Sequence, residues 1–223
     1  MNLTLFDLDH TLLAGDSDYL WGRFLVDEGV VDGETYAREN ERFHAQYQAG
    51  NLDIHAYQRF VLAPLREQPL PRMHDLRARY VRTRIAPIVA RHARALIAHH
   101  RDRGDALAII TATNRFITEP IADLLDIDTL IATEPEVVDG LYSGEIAGTP
   151  SFQDGKIVRA QAWTAAQPQP FEHVTFYSDS HNDLPLLRWA DTAIAVDPDE
   201  RLAEAARAAD WPIISLRGET RPF

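Results

Sequence analysis

The 223-residue chain contains no cysteine. This absence excludes disulfide bonds, thiolate zinc sites, iron–sulfur clusters and cysteine nucleophiles together. Basic residues are also scarce, with 22 Lys and Arg against 34 Asp and Glu, and the formal net charge is −12. A chain this acidic, with no concentrated basic tract, is not expected to bind nucleic acid or an anionic membrane surface.

Long hydrophobic runs are missing as well. No uncharged apolar stretch approaches the ~20 residues that a membrane-spanning helix requires. The N-terminus leads straight into an apolar strand, without the basic and apolar regions of a signal peptide. We therefore expect a cytoplasmic protein with no membrane partner.

Short apolar runs alternate with helical periodicity over most of the chain. Residues 3–6 predict a first buried strand, and the next convincing strand, over 106–110, ends at Thr111. From residue 87 onward helices and strands alternate, beginning with a helix over 87–103. This alternation predicts an α/β fold with a Rossmann-like, doubly wound and mostly parallel sheet.

The segment between the first two strands is helical throughout. Apolar side chains recur at helical spacing over 17–29 and 33–49, again after Asp53, and over 71–84. We therefore predict an inserted helical cap domain over residues 16–85. The α/β core domain is predicted to comprise residues 1–15 and 86–223.

Chemistry-bearing residues recur where predicted strands end or the next helix begins, which places them at one edge of a parallel sheet. Each alone has an ordinary interpretation as a loop, cap or surface residue, but together and in this order they favour a functional site. Carboxylates, a hydroxyl and a cation in one place match metal-assisted phosphoryl transfer, in which positive charge neutralises the phosphoryl oxygens. The set comprises Asp7, Asp9, Thr111, Lys156, Asp179, Asn182 and Asp183.

The order of these residues resembles the motifs of the haloacid dehalogenase (HAD) superfamily. The segment from Asp7 to Thr11 resembles the first motif, Thr111 the second, Lys156 the third and residues 178–183 the fourth. The resemblance covers essentially the whole chain. It is closest to subfamily IB, the phosphoserine-phosphatase-like and histidinol-phosphatase-like branch, in which a C1-type helical cap follows the first motif.

The resemblance implies a Mg²⁺-dependent phosphatase of small phosphate esters that works through an aspartyl-phosphate. Asp7 would be the nucleophile, and Asp9 would protonate the leaving alcohol and then activate water. Mg²⁺ would be held by the Asp7 carboxylate, the backbone carbonyl of Asp9 and Asp179. Asp183 would orient the metal waters and Lys156. The residues implied to contact the phosphoryl group are Thr111, Lys156 and Asn182.

Asp16 and the second-motif loop bear on the substrate. Asp16 stands where phosphoserine phosphatases carry a glutamate that binds the substrate amine, so we expect it to bind an ammonium group. The loop over 111–114 carries side chains where those enzymes have glycines, which disfavours phosphoserine. No arginine is assigned to a substrate carboxylate, although Arg42, Arg59 and Arg66 are available. Histidinol phosphate, which has an amine and no carboxylate, is therefore favoured over phosphoserine.

The nine histidines are interpreted as surface residues, with His10 and His181 as the two exceptions to test. His99 and His100 are expected at the surface, at the polar end of a helix. Trp21 and Phe24 could pack on an imidazole, but packing in the core is the favoured interpretation.

Two alternative functions stay open from the sequence. A phospho-acceptor signalling module of the response-regulator type also combines acidic residues, a hydroxyl, a lysine and Mg²⁺ on a parallel sheet. Its phosphorylated aspartate lies mid-domain, however, and lacks an acid partner two residues later. A phosphomutase would keep Asp7 and Asp9 but return the phosphoryl group to the substrate. The presence of Asp9 favours a hydrolase.

Overall fold

The computed structural model describes residues 1–223 and is built around one seven-stranded sheet in the order β4-β3-β2-β1-β5-β6-β7. Neighbouring strands pair in parallel, except that β3 and β4 form an antiparallel hairpin. The predicted α/β fold with a mostly parallel sheet is confirmed. The strands are β1 Leu3–Phe6, β2 Ala106–Asn114, β3 Thr129–Val138, β4 Leu141–Ala147, β5 Val174–Ser178, β6 Thr192–Val196 and β7 Ile213–Ile214.

Nine α-helices accompany the sheet, and the first five lie in the chain between β1 and β2. The first four of these fall inside residues 16–85, the range predicted for the cap; the division of the chain into two domains stays a prediction. The helices are α1 Ser17–Asp27, α2 Gly33–Ala49, α3 Ile54–Glu67, α4 Leu70–Tyr80, α5 Ala93–Asp102, α6 Arg115–Leu125, α7 Asp154–Ala165, α8 Leu184–Trp189 and α9 Glu200–Ala208.

Two hydrophobic clusters cover the two faces of the sheet. Successive strand residues point to opposite faces, so Phe6 of β1 enters one cluster while Leu3 and Leu5 enter the other. The Phe6 cluster continues into the inserted helices, where it includes Trp21 and Tyr80. The other cluster is closed by apolar residues of α7, α8 and α9. The inserted helices are thus packed onto the core through one continuous apolar layer.

The inserted helices begin and end where local chemistry favours it. The side chains of Asp16, Asp32 and Asp53 accept backbone N–H groups at the starts of α1, α2 and α3, which satisfies donors that have no partner inside the helix. Gly50 ends α2 with φ +75°, a left-handed conformation that glycine adopts without steric cost.

Three details differ from the sequence predictions. The helix expected over 87–103 begins only at Ala93, because residues 86–88 form a short 3₁₀ turn containing Pro87. Strand β2 continues past Thr111 to Asn114, since it gains a further partner at Thr133 of β3. His100, expected at the surface, is 8% exposed.

His100 is buried because it is part of a polar network beneath the sheet. Its Nδ1 lies 2.7 Å from Asp105 Oδ2 and 3.0 Å from Thr4 Oγ1, and its Nε2 lies 2.9 Å from the Tyr177 hydroxyl. Both ring nitrogens therefore have partners, which makes burial of the ring tolerable.

No helix of the chain combines the length and apolarity needed to cross a membrane.

Candidate active site

In the sheet, β2, β3 and β4 lie on one side of β1, and β5, β6 and β7 lie on the other. The direction in which successive strands are added therefore reverses at β1. In open α/β sheets, ligands bind in the crevice beyond the carboxyl ends of the strands at such a reversal. Asp7 directly follows β1, and its backbone N–H donates to the Tyr177 carbonyl at 2.9 Å. The first predicted site residue therefore lies at the point where the fold itself favours a ligand.

Asp7 is buried, with 6% exposure, between a lysine and a threonine. Lys156 Nζ donates to Asp7 Oδ1 at 2.7 Å, and the Thr11 hydroxyl lies 3.2 Å from Asp7 Oδ2. Burial raises the pKa of Asp7 to about 6, and the Lys156 charge opposes part of that rise. Near neutral pH the carboxylate is available as a nucleophile.

Lys156 is the only lysine of the chain, and it is 3% exposed. Its Nζ also donates to Asp183 Oδ2 at 2.7 Å, and that oxygen accepts a 2.7 Å bond from the Ser178 hydroxyl. Burial lowers the pKa of Lys156, but the charges of Asp183 and Asp7 outweigh it and hold the pKa above its ordinary value. The ammonium group is therefore charged between two carboxylates.

A tight turn delivers Lys156 to this position. A Cβ atom added at Gly155 would lie 2.1 Å from the Pro150 carbonyl oxygen, so the start of α7 can approach the preceding loop only with glycine there. Gly155 could not be identified from the sequence, because the contact depends on how the loop folds back.

Thr11 joins the first and fourth motifs. Its hydroxyl lies 3.1 Å from Asp179 Oδ1, in addition to its contact with Asp7, and accepts the Asp179 backbone N–H at 3.0 Å. Burial and then the negative charges of Asp7 and Asp183 raise the pKa of Asp179 well above its ordinary range. Two buried carboxylates thus share one hydroxyl group.

Asp9 points away from this pair and is held by two other donors. The Ser17 backbone N–H donates to its Oδ1 at 2.6 Å, and the Thr113 hydroxyl donates to its Oδ2 at 2.9 Å. Burial, followed by the charges of Asp16 and Asp7, raises the pKa of Asp9 to about 7. A carboxyl group with that pKa can both give and take a proton near neutral pH.

Thr111 and Asn182 lie at the same cavity as Asp7 and Lys156. Thr111 is 1% exposed, and its hydroxyl oxygen accepts the Thr113 backbone N–H at 3.2 Å, which leaves its own proton to donate. The Asn182 amide instead links the fourth motif to α2, since its Nδ2 donates to the Tyr47 carbonyl at 3.3 Å. Asn182 therefore also holds the inserted helices to the core.

The cavity lies between these core residues and α1 to α3. Five carboxylates and one lysine line it, together with His10 and His44, and no arginine does. Asp16 lines it as well, but Asp16 Oδ1 accepts the backbone N–H groups of Asp18 and Tyr19, and Asp16 Oδ2 lies 3.8 Å from His44 Nδ1. Asp16 is thus a helix cap that also faces the cavity.

The donor set near Asp7 suits a hard cation. No three His, Asp or Glu side chains form a ready-made metal cluster, since Asp9 and Asp183 are bound to other partners. Asp7 and Asp179 share Thr11, however, and burial is the largest cause of their raised pKa values. Two buried carboxylates beside one another match the oxygen ligands that Mg²⁺ prefers.

The family model of haloacid dehalogenase-like hydrolases matches residues 4–188. The chain belongs to this family. A histidinol-phosphatase of Neisseria meningitidis serogroup C (strain 8013) is 38% identical over 220 residues, covering 97% of this chain and 99% of that protein. Phosphoserine phosphatase SerB1 of Mycobacterium tuberculosis is 30% identical over 217 residues, covering 95% of this chain and 70% of that protein.

Solved structures agree with the fold of this HAD phosphatase. A protein with unknown function from Bordetella pertussis Tohama I is similar at a TM-score of 0.91 and 40% identity, over 96% of this chain and 98% of that one. A phosphoserine phosphatase solved as a phospho-aspartyl intermediate analogue has a TM-score of 0.70 over 96% of this chain and 93% of that one. At 19% identity, the second likeness shows the fold alone.

The family assignment confirms the predicted resemblance and the predicted enzyme class, a phosphatase rather than a receiver-type signalling module. The roles of the individual residues stay predictions. Three contacts at the site involve residues to which no role was assigned from the sequence. Thr11 and Thr113 contact Asp7 and Asp9, and Ser178 contacts Asp183. Thr113 lies two residues after Thr111 on one strand, so strand periodicity could have indicated it.

Proposed function

We propose that this HAD phosphatase hydrolyses a small, amine-bearing metabolite phosphate through an aspartyl-phosphate, with histidinol phosphate favoured over phosphoserine. The Asp7 carboxylate attacks phosphorus while the bond between phosphorus and the leaving oxygen breaks. Asp9 gives its proton to that oxygen, and the alcohol departs. Asp9 then takes a proton from water, which attacks the aspartyl-phosphate and releases inorganic phosphate and free Asp7. The pKa of Asp9, about 7, suits both proton transfers.

The phosphoryl group is held by donors around Asp7. Lys156 supplies a buried positive charge 2.7 Å from the nucleophile, and the Thr111 hydroxyl and the Asn182 amide line the same cavity. Donors fixed before the reaction stabilise the charge that develops on the phosphoryl oxygens. Asp183 contributes by fixing Lys156 rather than by meeting the substrate.

HAD phosphatases generally use Mg²⁺, and we propose the same cofactor here. Asp7, the backbone carbonyl of Asp9 and Asp179 would hold the ion, and Asp183 would orient its waters. When bound, it supplies positive charge that offsets the phosphoryl oxygens and the crowded carboxylates. The contacts of Asp7 and Asp179 with the one Thr11 hydroxyl support this assignment, because they bring two carboxylate ligands together.

The observation that supports the substrate class is the charge of the cavity beyond the phosphoryl site. Asp16 faces that part of the cavity, and no arginine lines it. The three arginines available to bind a substrate carboxylate are paired elsewhere. Arg42 pairs with Glu39, Arg59 with Glu145 and Arg66 with Glu67. A carboxylate on the substrate would therefore meet like charge, whereas an ammonium group would meet Asp16.

The inserted helices would act as the cap. We propose core residues 1–15 and 86–223 and a cap over 16–85, as the sequence predicts. Near the cavity, the contacts across this division include polar ones, such as Arg201 with the Ala49 carbonyl at 3.3 Å and Gln153 with the Gly50 carbonyl at 3.3 Å. Closure of the cap would exclude water during attack by Asp7.

The test is kcat/KM for phosphate release from histidinol phosphate and from phosphoserine, with Mg²⁺ and with a chelator. Asp7→Asn serves as the blank. We expect Mg²⁺-dependent turnover that prefers histidinol phosphate, and a loss of about 10²-fold or more in Asp9→Asn. Preference for phosphoserine would contradict the substrate assignment. Isomerised phosphate ester in place of released phosphate would indicate a phosphomutase.

A further inference from the structure

The cavity contains a buried carboxylate that the proposed chemistry does not use. Asp18 lies in the first turn of α1, is 3% exposed and lines the cavity. Neither of its oxygens accepts a hydrogen bond of good geometry, although the Tyr57 hydroxyl lies nearby as a donor. Burying a carboxylate without well-placed partners costs several kcal/mol, and a ligand that donates a hydrogen bond to Asp18 would offset that cost.

The surroundings of Asp18 offer hydroxyl groups and negative charge. The Tyr36 hydroxyl is also buried without a partner, and burial, followed by the charge of Asp18, raises the pKa of both Tyr36 and Tyr57. Burial, and then the charges of Asp16 and Asp9, raise the pKa of Asp18 itself well above its ordinary range. A ligand complementary to this corner donates hydrogen bonds and carries no negative charge.

Aromatic rings form the wall beside this carboxylate. Phe43 and Tyr57 both line the cavity, with their ring centroids 5.3 Å apart in an edge-to-face arrangement. Trp21 and Phe24, the aromatic residues considered from the sequence, are 1% and 3% exposed in the core and do not line the cavity. Flat, nitrogen-bearing rings suit aromatic walls and carboxylate acceptors together.

We infer that Asp18, beside the Phe43–Tyr57 wall, accepts a hydrogen bond from a ring nitrogen of the substrate. The inference rests on the proposed function and deepens it. Asp16 would bind the substrate ammonium group, and Asp18 would bind a second N–H donor on a heteroaromatic ring. The substrate class is thus a phosphate ester with two nitrogen-bearing groups. A single amine, as in phosphoserine, would leave Asp18 without a partner.

The test measures binding in the Asp7→Asn background, where turnover is blocked. Three ligands are titrated by calorimetry: histidinol phosphate, the amine-only 2-aminopropyl phosphate and the ring-only 3-(imidazol-4-yl)propyl phosphate. A hydrogen bond to a charged group contributes about 1.5–3 kcal/mol, so Asp18→Asn should weaken the two ring-bearing ligands by about 10- to 100-fold. The amine-only ligand should be nearly unaffected. Asp16→Asn is the matched control and should weaken the two amine-bearing ligands instead.

A stability measurement separates recognition from a structural role. Because Asp18 is buried without partners, Asp18→Asn should keep or raise the melting temperature of the ligand-free protein. A lower melting temperature with equal loss of affinity for all three ligands would overturn the inference. Failure of either ring-bearing ligand to bind the Asp7→Asn parent would overturn it as well.

Turnover of histidinol phosphate tests the proposed function separately from the binding experiment. If the wild-type enzyme does not hydrolyse histidinol phosphate, but Asp18→Asn loses affinity for the ring-bearing ligands alone, the proposed function fails and the ring subsite stands. If turnover occurs and Asp18→Asn has no ring-dependent effect, the inference fails and the proposed function stands.

Discussion

Replacing Lys156 with methionine removes the positive charge that Asp7 and Asp183 share. Each carboxylate has an oxygen 2.7 Å from Lys156 Nζ, and the three side chains are nearly fully buried. Removing one partner from a buried ion pair typically costs about 3–5 kcal/mol, because a charge is left uncompensated. Methionine has a similar length and no charge, so the variant tests the charge with little change in volume.

Protonation limits that cost and gives it a pH dependence. A carboxyl group with an ordinary pKa of 3.8 takes up a proton at pH 7 for about 4 kcal/mol, at about 1.4 kcal/mol per pH unit. In Lys156→Met, Asp7 loses the charge that opposes the effect of burial, so its folded pKa should lie further above its unfolded value. The folded variant then binds more protons, so its stability increases as pH falls toward 3.8 and is lost as pH rises through the folded pKa.

Urea unfolding of wild type and Lys156→Met at pH 5, 6, 7 and 8 measures this effect. We expect a loss of about 3–5 kcal/mol at pH 7, equal to a melting temperature about 6–20 °C lower, and a smaller loss at pH 5. Adding Asp183→Asn to Lys156→Met should restore part of the lost unfolding free energy. Lys156→Arg, which keeps the charge, should lose less unfolding free energy than Lys156→Met. A pH-independent loss, or none at pH 7, would refute the electrostatic argument.

Three further predictions follow from single contacts. With an alkyl phosphate, kcat/KM should fall as pH rises above about 7, because Asp9 must be protonated to release the alcohol. Thr113→Val removes a hydrogen-bond donor to the Asp9 carboxylate, which raises the pKa of Asp9. The variant should therefore show the fall in kcat/KM at higher pH. Gly155→Ala should lower both activity and the free energy of unfolding, because its Cβ would lie 2.1 Å from the Pro150 carbonyl oxygen. Phosphate release and urea titration measure the two effects, and unchanged values would contradict the need for glycine in this turn. Burial lowers the pKa of His100 below 6.5, so the stability linked to it is present above pH 6.5 and lost as pH falls through the folded pKa. Urea titration of His100→Asn should show a weaker dependence on pH between 7 and 5, and an unchanged dependence would exclude His100 as its source.

The sequence by itself was enough to predict the sheet edge and its chemistry. An apolar run of four residues before Asp7, and similar runs before Thr111 and Asp179, are readable because buried parallel strands are short and continuous. Parallel strands present their carboxyl ends at one edge, so order along the chain predicts proximity in space. The helical spacing of apolar side chains predicted the inserted helices, because that spacing is also a local signal.

Only the tertiary structure decided how those residues are held. The Thr11 hydroxyl meets Asp179 across 168 residues, and Thr113 meets Asp9 across 104. Such bonds depend on strand register and on the exact angle at which loops leave the sheet, which no local pattern encodes. The unpartnered burial of Asp18 likewise depends on how α1 packs against α2 and α3. Local physics specified which side chains reach the edge, and long-range packing specified which of them compensate one another's charge.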